Sequence, residues 1–523
     1  MGKATSERCE DSVSLTNGIL SGERLLGPAA FDERLRRAAS AFAALGVRRD
    51  DCVAVLLRND FPFLEASLAA QRLGAYAVPV NWHFKAEEVH YVLTDSGAKV
   101  LVAHADLLAG LRGAVPAGVT VIEVPTPPEI VQAYRVTPEA ARPAPGARIW
   151  DELIAAHPPQ DGPPAPASDS MVYTSGTTGH PKGVRRKPAT EEERIKVEEM
   201  RNLVYGFRPG MRTAIAAPMY HSAPNAFSLR AARLAELFIV MPRFDPEAVL
   251  AAIDKEKLTH LWLVPTMFVR LLKLPAEVRA RYDVSSLQFI IHAGAPCPPD
   301  VKEAMIGWVG PIVHEYYGGT ESGPVVFCTS AEWLAHRGTV GKPIPGSHVE
   351  VQDDNGNELP AGQQGEIFMR ISYYPDFTYH NLPEKRREID RKGLITCGDV
   401  GYFDEDGFLY IRDRKRDMVI SGGVNIYPAE IESVLAALDG VRDCAVFGIP
   451  DAEYGEALMA LVQPLEGRTL APEAIRAELR QHLADYKVPK HVEVRQELPR
   501  EDSGKIFKRV LREPYWQGAG RAV

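Results

Sequence analysis

Ten consecutive residues, Thr174-Ser175-Gly176-Thr177-Thr178-Gly179-His180-Pro181-Lys182-Gly183, contain three glycines, four hydroxyl side chains and one lysine. Glycine lets a turn take backbone conformations closed to other residues. Successive N–H groups in such a turn form a concavity for anions, hydroxyls add donors, and a lysine adds the point charge that suits phosphate. Met171-Val172-Tyr173, just before it, reads as the end of a buried strand. Together these describe a phosphate cradle, although a glycine-rich run taken alone is also an ordinary surface turn. It is not a Walker A loop, because no Gly-Lys-Ser/Thr closes it at the required spacing.

A second cluster, Glu315-Tyr316-Tyr317-Gly318-Gly319-Thr320-Glu321, sets a ring, two glycines, a hydroxyl and a carboxylate side by side. Tyr317 can stack on a purine and Thr320 can reach a phosphate oxygen. Glu321 can hold Mg2+ through oxygen, with waters and substrate phosphates completing the shell. Alone, an exposed glutamate is usually only a solvated charge. In His292-Ala293-Gly294-Ala295-Pro296, the small residues Gly294, Ala295 and Pro296 let a flat base approach the backbone; a simple β-turn is the plainer reading. Asp399 follows the apolar Leu394-Ile395 by a few residues, and a carboxylate there can accept both hydroxyls of a ribose. His221 ends Ala216-Ala217-Pro218-Met219-Tyr220-His221. A lone histidine is more often a satisfied core or surface residue than a catalyst.

Helix and strand patterns alternate ahead of these motifs. Apolar residues recur at helical spacing from Phe31 to Leu45 and from Phe61 to Leu73, each run closed by a glycine. Short apolar runs at Val53–Leu57, Ala77–Val80 and Val100–Val102 suit buried strands. The alternation predicts an α/β fold with a layered, mainly parallel sheet. Residues 136–168, rich in proline and alanine, read as a linker or surface excursion. Glu191 to Asn202 reads as an exposed helix, with Glu192/Lys196 and Arg194/Glu198 at i,i+4. Arg185-Arg186-Lys187 before it is either a landing patch for phosphates or a solvated basic face, the second being the plainer reading. Val349–Gln352, Gly365–Met369 and Phe408–Ile411 suggest a small barrel-like β subdomain. The last hundred residues predict a compact α+β unit, with Ile431, Val434, Leu435 and Leu438 on one helix and Ile475, Leu479, Leu483 and Tyr486 on another.

The chain has 523 residues, enough for several domains. Its 60 basic and 69 acidic residues leave a net charge of −9, which argues against a nucleic-acid partner without excluding ATP in a local positive pocket. Six scattered cysteines form no metal-ligand or disulfide spacing. The polar Met1–Asp11 carries no secretory signal, and no apolar run reaches the ~18 residues of a membrane span. The expectation is a cytoplasmic protein with no transmembrane segment, and with room for peripheral membrane contact.

Tyr173 to Gly183 closely resembles the phosphate loop of the adenylate-forming superfamily, which includes acyl-CoA synthetases, peptide-synthetase adenylation domains and luciferases. Gly74 to Asn81 resembles a segment common in the N-terminal half of that family, and Glu315 to Glu321 is similar to its second signature at the expected distance. The resemblance implies a large N-terminal domain of layered α/β subdomains (1–413), a hinge (414–417) and a small mobile α+β C-terminal cap (418–523). It implies Thr174, Ser175, Gly176, Thr177, Thr178, Gly179 and Lys182 on the β- and γ-phosphates. Gly294, Ala295, Pro296, Tyr317 and Gly318 fall around the adenine, Thr320 on the α-phosphate, Glu321 on Mg2+, and Asp399 and Arg414 on the ribose. His221 falls beside the acyl pocket. Arg416 stands at the pivot, where relatives carry Asp or Lys, and Gly422 and Gly423 stand where a pantetheine arm passes. Lys505, in Gly504-Lys505-Ile506, matches the terminal catalytic lysine, although Glu501-Asp502 departs from the usual Thr or Asn.

The implied enzyme is an ATP-dependent acid–CoA ligase using ATP, Mg2+ and coenzyme A on a small carboxylic acid. Small residues such as Gly319 and the absence of an obvious second-carboxylate partner favour an apolar acid, whether fatty, aromatic or bulky alicyclic. The rival readings are a stand-alone adenylating enzyme loading a carrier-protein pantetheine, mildly disfavoured because no carrier domain follows Lys505, and a nucleotide-binding sensor without catalysis.

Overall fold

The helix Phe61–Arg72 shows how the first layer is built. Asp60 caps it by accepting the Phe61 N–H at 2.7 Å, Pro62 stands in its first turn, and Gly74 beyond its end has φ +74°. Every residue from Phe61 to Ala70 is buried. Such a helix is apolar nearly all round because it is packed on both sides. The computed structural model describes residues 17–166, 169–174, 180–415, 417–421, 424–451, 454–500 and 506–517.

Among the described residues, a four-stranded parallel sheet runs Tyr76–Pro79, Cys52–Leu56, Ala98–His104, Thr120–Val124 in spatial order. A nine-stranded sheet carries a parallel centre, Val313–Gly319, Phe289–His292, His260–Leu263, Arg212–Ile215, Leu237–Val240 and Gly18–Ser21, with antiparallel strands at both edges. Parallel strands buried on both faces read as continuous apolar runs, which is why their sequences lack alternation. Ser347–Gln352, Gly365–Ile371, Asp390–Arg391, Leu394–Phe403 and Leu409–Arg414 form an antiparallel β subdomain. The C-terminal unit sets the long hairpin Val441–Asp451/Gly455–Pro464 against helices Pro428–Ala437 and Pro472–His482. The mixed α/β class matches the expectation.

Three local readings need correction. Residues 136–168 are not only a linker: they include the helix Trp150–Ala155, whose fully buried Trp150 donates its indole N–H to Glu65 at 2.7 Å. Tyr486 does not extend the helix Pro472–His482 but lies exposed in a 3-10 turn beyond it. In the helix Glu191–Tyr205, Lys196 pairs with Glu192 at 2.8 Å as expected, but Arg194 pairs with Glu191. Glu198 is taken by Arg230 from the next helix.

One fully buried ion pair braces the central sheet. Lys302, on the helix Pro299–Val309, lies 2.6 Å from Glu315 on the strand Val313–Gly319. Lys302→Met should cost about 3–5 kcal/mol, because it strands a carboxylate in the core. The double variant Lys302→Met/Glu315→Leu should regain much of that loss in urea unfolding. A double variant no more stable than the single would mean that lost packing, not the stranded charge, sets the cost.

His260 and His314 lie on strands two apart in the same sheet, and burial pushes both imidazoles down to about 4. The unfolded chain protonates them near ~6.5. Stability from both is therefore present above pH ~6.5 and is lost as pH falls towards 4, by up to ~1.4 kcal/mol per unit for each histidine. Burial raises the carboxyls of Glu65 and Glu315, which act in the opposite sense. His260→Gln should flatten the fall of the urea midpoint between pH 6.5 and 4. An unchanged slope would exclude His260 as its source.

Candidate active site

The strands Val172–Thr174 and Lys182–Arg186 form an antiparallel hairpin, extended by Phe377–Tyr379. A strand on both sides of the glycine-rich loop was not legible in the spacing. The ladder sets Thr174 opposite Lys182, so the two ends of the loop meet. Ser175, Gly176, Thr177, Thr178 and Gly179 lie outside the described residues. Glycine is required at 183, where a Cβ would stand 2.9 Å from the Tyr173 ring. Tyr173 is itself fixed by donating its hydroxyl to Asp95 at 2.7 Å. His180 stacks on Tyr91 at 4.5 Å.

Glu321 faces this hairpin. Its Oε1 accepts the Tyr379 hydroxyl at 2.9 Å and the Thr174 hydroxyl at 3.4 Å. The Lys182 ammonium lies 4.4 Å from the centroid of the Tyr379 ring. Burial, then the Glu321 charge, pushes the Tyr379 phenol far up, so it remains a donor. Tyr379 was not anticipated; only the alternation of buried Phe377 and Tyr379 along an otherwise polar stretch hinted at it. Among the described residues no group of three or more His, Cys, Asp and Glu is arranged to hold a metal. Glu321 with two hydroxyl neighbours is an all-oxygen set, which suits a hard cation that keeps waters and substrate phosphates.

The second half of the site follows from sheet register. His292 is level with Glu315 in adjacent parallel strands, so Gly294-Ala295-Pro296 and Tyr317-Gly318-Gly319 emerge together at the carboxyl end of the sheet. That edge is where open α/β sheets bind ligands. Gly294 has φ +86°. The Tyr317 hydroxyl donates to Asp399 Oδ2 at 2.7 Å, and Arg414 Nε lies 3.4 Å from Oδ1. Asp399 and Arg414 are direct partners in the ladder. Gly318 admits no side chain, because a Cβ would stand 2.0 Å from the Gly323 carbonyl oxygen. At Gly319 a Cβ would meet Cys397 Sγ at 2.6 Å, so glycine there answers to a neighbour as well as to pocket depth.

His221 stands at the N-cap of the helix Ser222–Leu234, its ring 4.3 Å from Tyr220, whose own ring meets Trp82 edge-on at 6.2 Å. Trp82 was missed, since nothing local marks it. Asn225 is buried and donates to the Met219 carbonyl at 3.0 Å. The reading of Arg185-Arg186-Lys187 as an exposed patch fails at Arg186, which is 6% exposed. Arg416, Gly422, Gly423 and Lys505 lie outside the described residues. Among the described residues no helix is long and apolar enough to cross a membrane.

A loop closed by Thr174 and Lys182, a carboxylate facing it, and a carboxylate–arginine pair beside a small-residue shelf define an adenylate-forming architecture. Residues 5–373 match the AMP-binding enzyme family, and residues 430–505 match the AMP-binding enzyme C-terminal domain. The chain is 33% identical over 94% of its length to a feruloyl-CoA synthase from Amycolatopsis, covering 95% of that protein. It is 32% identical over 92% of its length to the long-chain-fatty-acid–CoA ligase FadD13 of Mycobacterium tuberculosis, covering 91%. The structure of the amide bond synthetase McbA from Marinactinospora thermotolerans superposes with a TM-score of 0.80 at 26% identity, over 96% of this chain and 97% of that one. The chain belongs to the AMP-binding enzyme family, and it is an AMP-forming acid–CoA ligase.

Proposed function

We propose that this ligase activates an apolar carboxylic acid, fatty, aromatic or bulky alicyclic, and passes it to coenzyme A. The observation that carries the proposal is the convergence of Thr174, Lys182, Tyr379 and Glu321 beside Tyr317, Asp399 and Arg414. The aromatic group of Trp82, Tyr220 and His221 supports an apolar acyl group. So do relatives whose names give feruloyl and long-chain fatty acyl substrates.

In the first step the acid's carboxylate oxygen attacks the α-phosphorus of ATP and pyrophosphate leaves. Lys182 and the loop after Thr174 orient the β- and γ-phosphates, and Lys505 stabilises charge developing between carboxylate and phosphate. Glu321 is the residue that would hold Mg2+, which when bound neutralises charge on phosphate oxygens. Asp399 and Arg414 fix the ribose while Gly294, Ala295, Pro296, Tyr317 and Gly318 enclose the base, and Thr320 contacts the α-phosphate. In the second step the thiol of CoA attacks the acyl carbonyl carbon and AMP leaves. We assign 1–413 to the large domain and 418–523 to a cap that pivots at Arg416, withdrawing Lys505 and presenting Gly422 and Gly423 to the pantetheine.

An AMP-release assay with a panel of acids, run with free CoA and with a holo-carrier protein as acceptors, tests this. The expected result is turnover with apolar acids and free CoA. Preference for short dicarboxylic acids, or for the holo-carrier, would refute the respective part.

A further inference from the structure

Arg186 ends the strand Lys182–Arg186 as a buried cation in a run that reads as surface. Alternation along the strand separates the three basic residues. Val184 and Arg186 point inward, Arg185 lies half-buried with its guanidinium over the Tyr76 ring at 4.5 Å, and Lys187 is exposed. The Arg186 guanidinium stands 4.3 Å from the centroid of Tyr374 and 5.3 Å from that of Phe377. Its Nη1 donates to the Pro375 carbonyl at 2.7 Å. Its Nη2 donates to the Thr320 carbonyl at 2.9 Å and to the Glu321 carbonyl. A buried cation is tolerable only when it is hydrogen-bonded and paired. Here three main-chain carbonyls and two ring faces do most of that, and they come from two segments far apart in the chain.

The contact continues outward. Tyr374 donates its hydroxyl to Asp169 Oδ2 at 2.8 Å, and Asp169 Oδ1 accepts from Arg201 of the helix Glu191–Tyr205 at 2.6 Å. The Tyr374 ring also lies against Gly323, where a Cβ would stand 2.7 Å from it. The turn that carries Thr320 and Glu321 is thus held on one side by its own strands and on the other by the Arg186 guanidinium.

We propose that Arg186 is a positioning residue that sets the Glu321 carboxylate for the adenylation step. It rests on the function proposed above. Its guanidinium is turned to main-chain carbonyls and ring faces. It fixes the main chain from which Glu321 projects, while Tyr379 and Thr174 fix the far end of that side chain. Lysine cannot replace it fully, since an ammonium cannot lie flat on Tyr374 and serve three carbonyls from one plane.

Arg186→Met keeps the reach and removes the donors. In the ligand-free protein, amide hydrogen exchange over residues 318–324 should quicken roughly tenfold, as expected for losing hydrogen bonds to a charged donor. Exchange in the C-terminal unit should not change. In acid-dependent pyrophosphate exchange, the half-saturating Mg2+ concentration should rise by a similar factor of roughly ten, with the KM for the acid unchanged. Thioester formation from supplied acyl-adenylate should be spared, and Arg186→Lys should recover part of the loss. Should Arg186→Met fail to fold, Tyr374→Phe, which cuts only the link to Asp169, should move both readouts in the same direction by less. Unchanged amide exchange over 318–324 overturns the proposal. So does an equal loss of both half-reactions without a change in Mg2+ demand. If the wild-type protein gives no acid-dependent pyrophosphate exchange, the functional reading fails, while amide exchange still decides whether Arg186 holds the turn.

Discussion

Glu321→Gln should lower acid-dependent pyrophosphate exchange by about 10²–10³, the scale of losing one preorganised electrostatic contact. The amide keeps the size of the side chain and its place between Tyr379 and Thr174. Its carbonyl oxygen can still accept both hydroxyls, so the change is confined to the negative charge that a hard cation needs and to the second oxygen, which becomes an NH2 group. The loss should fall on adenylation. Thioester formation from supplied acyl-adenylate needs no β- or γ-phosphate and should stay close to wild type. Titrating Mg2+ separates this from a general defect: the variant should need far more of it. Activity within threefold of wild type at ordinary Mg2+ would remove Glu321 from the metal role.

Lys505→Ala should be as severe and more selective. Adenylation should fall by about 10²–10³, while supplied acyl-adenylate is still converted to thioester. Lys505 is outside the described residues, but the base of its loop is not. Arg500 and Ile506 form an antiparallel bridge, and Phe507 N–H donates to the Pro499 carbonyl at 3.1 Å. The tail helix Lys508–Trp516 then docks on the C-terminal unit: Lys508 lies 2.7 Å from Glu432, and Trp516 donates to the Gly448 carbonyl at 2.9 Å. The lysine is one residue in sequence from a point anchored to that unit, as the proposed pivot of the cap requires. Measuring the two half-reactions separately is decisive. An equal fall in both would mean that Lys505 serves the whole site rather than one stage.

The elements with strong local signals were legible. Asp60, Pro62 and Gly74 bracket the helix Phe61–Arg72 by chemistry that acts within a few residues. Runs such as Cys52–Leu56 and Phe289–His292 are apolar because both faces are covered. The Trp150–Ala155 helix was hidden by its proline- and alanine-rich surroundings, and its reason for forming is the burial of Trp150 against Glu65 and Phe42, about a hundred residues earlier. Arg194 was expected to pair with Glu198, but Glu198 is met by Arg230 from another helix and, more distantly, by Arg201 of its own.

By itself the sequence determined which groups are on offer: a hydroxyl- and glycine-rich loop suited to phosphates, a Thr320-Glu321 pair able to meet a phosphate and a cation, and an Asp399 carboxylate able to accept ribose hydroxyls. The loop reading rests on spacing within ten residues, where the chain itself enforces proximity, while the roles of Thr320, Glu321 and Asp399 rest on the resemblance to the adenylate-forming family. Only the tertiary structure decided which groups complete them. Tyr379 reaches Glu321 from 58 positions away, and Arg186 reaches the carbonyls of Thr320 and Glu321 from 134 and 135. Contacts of that range depend on how sheets pack and how strands register, and a run of basic residues says nothing of which one the fold will bury.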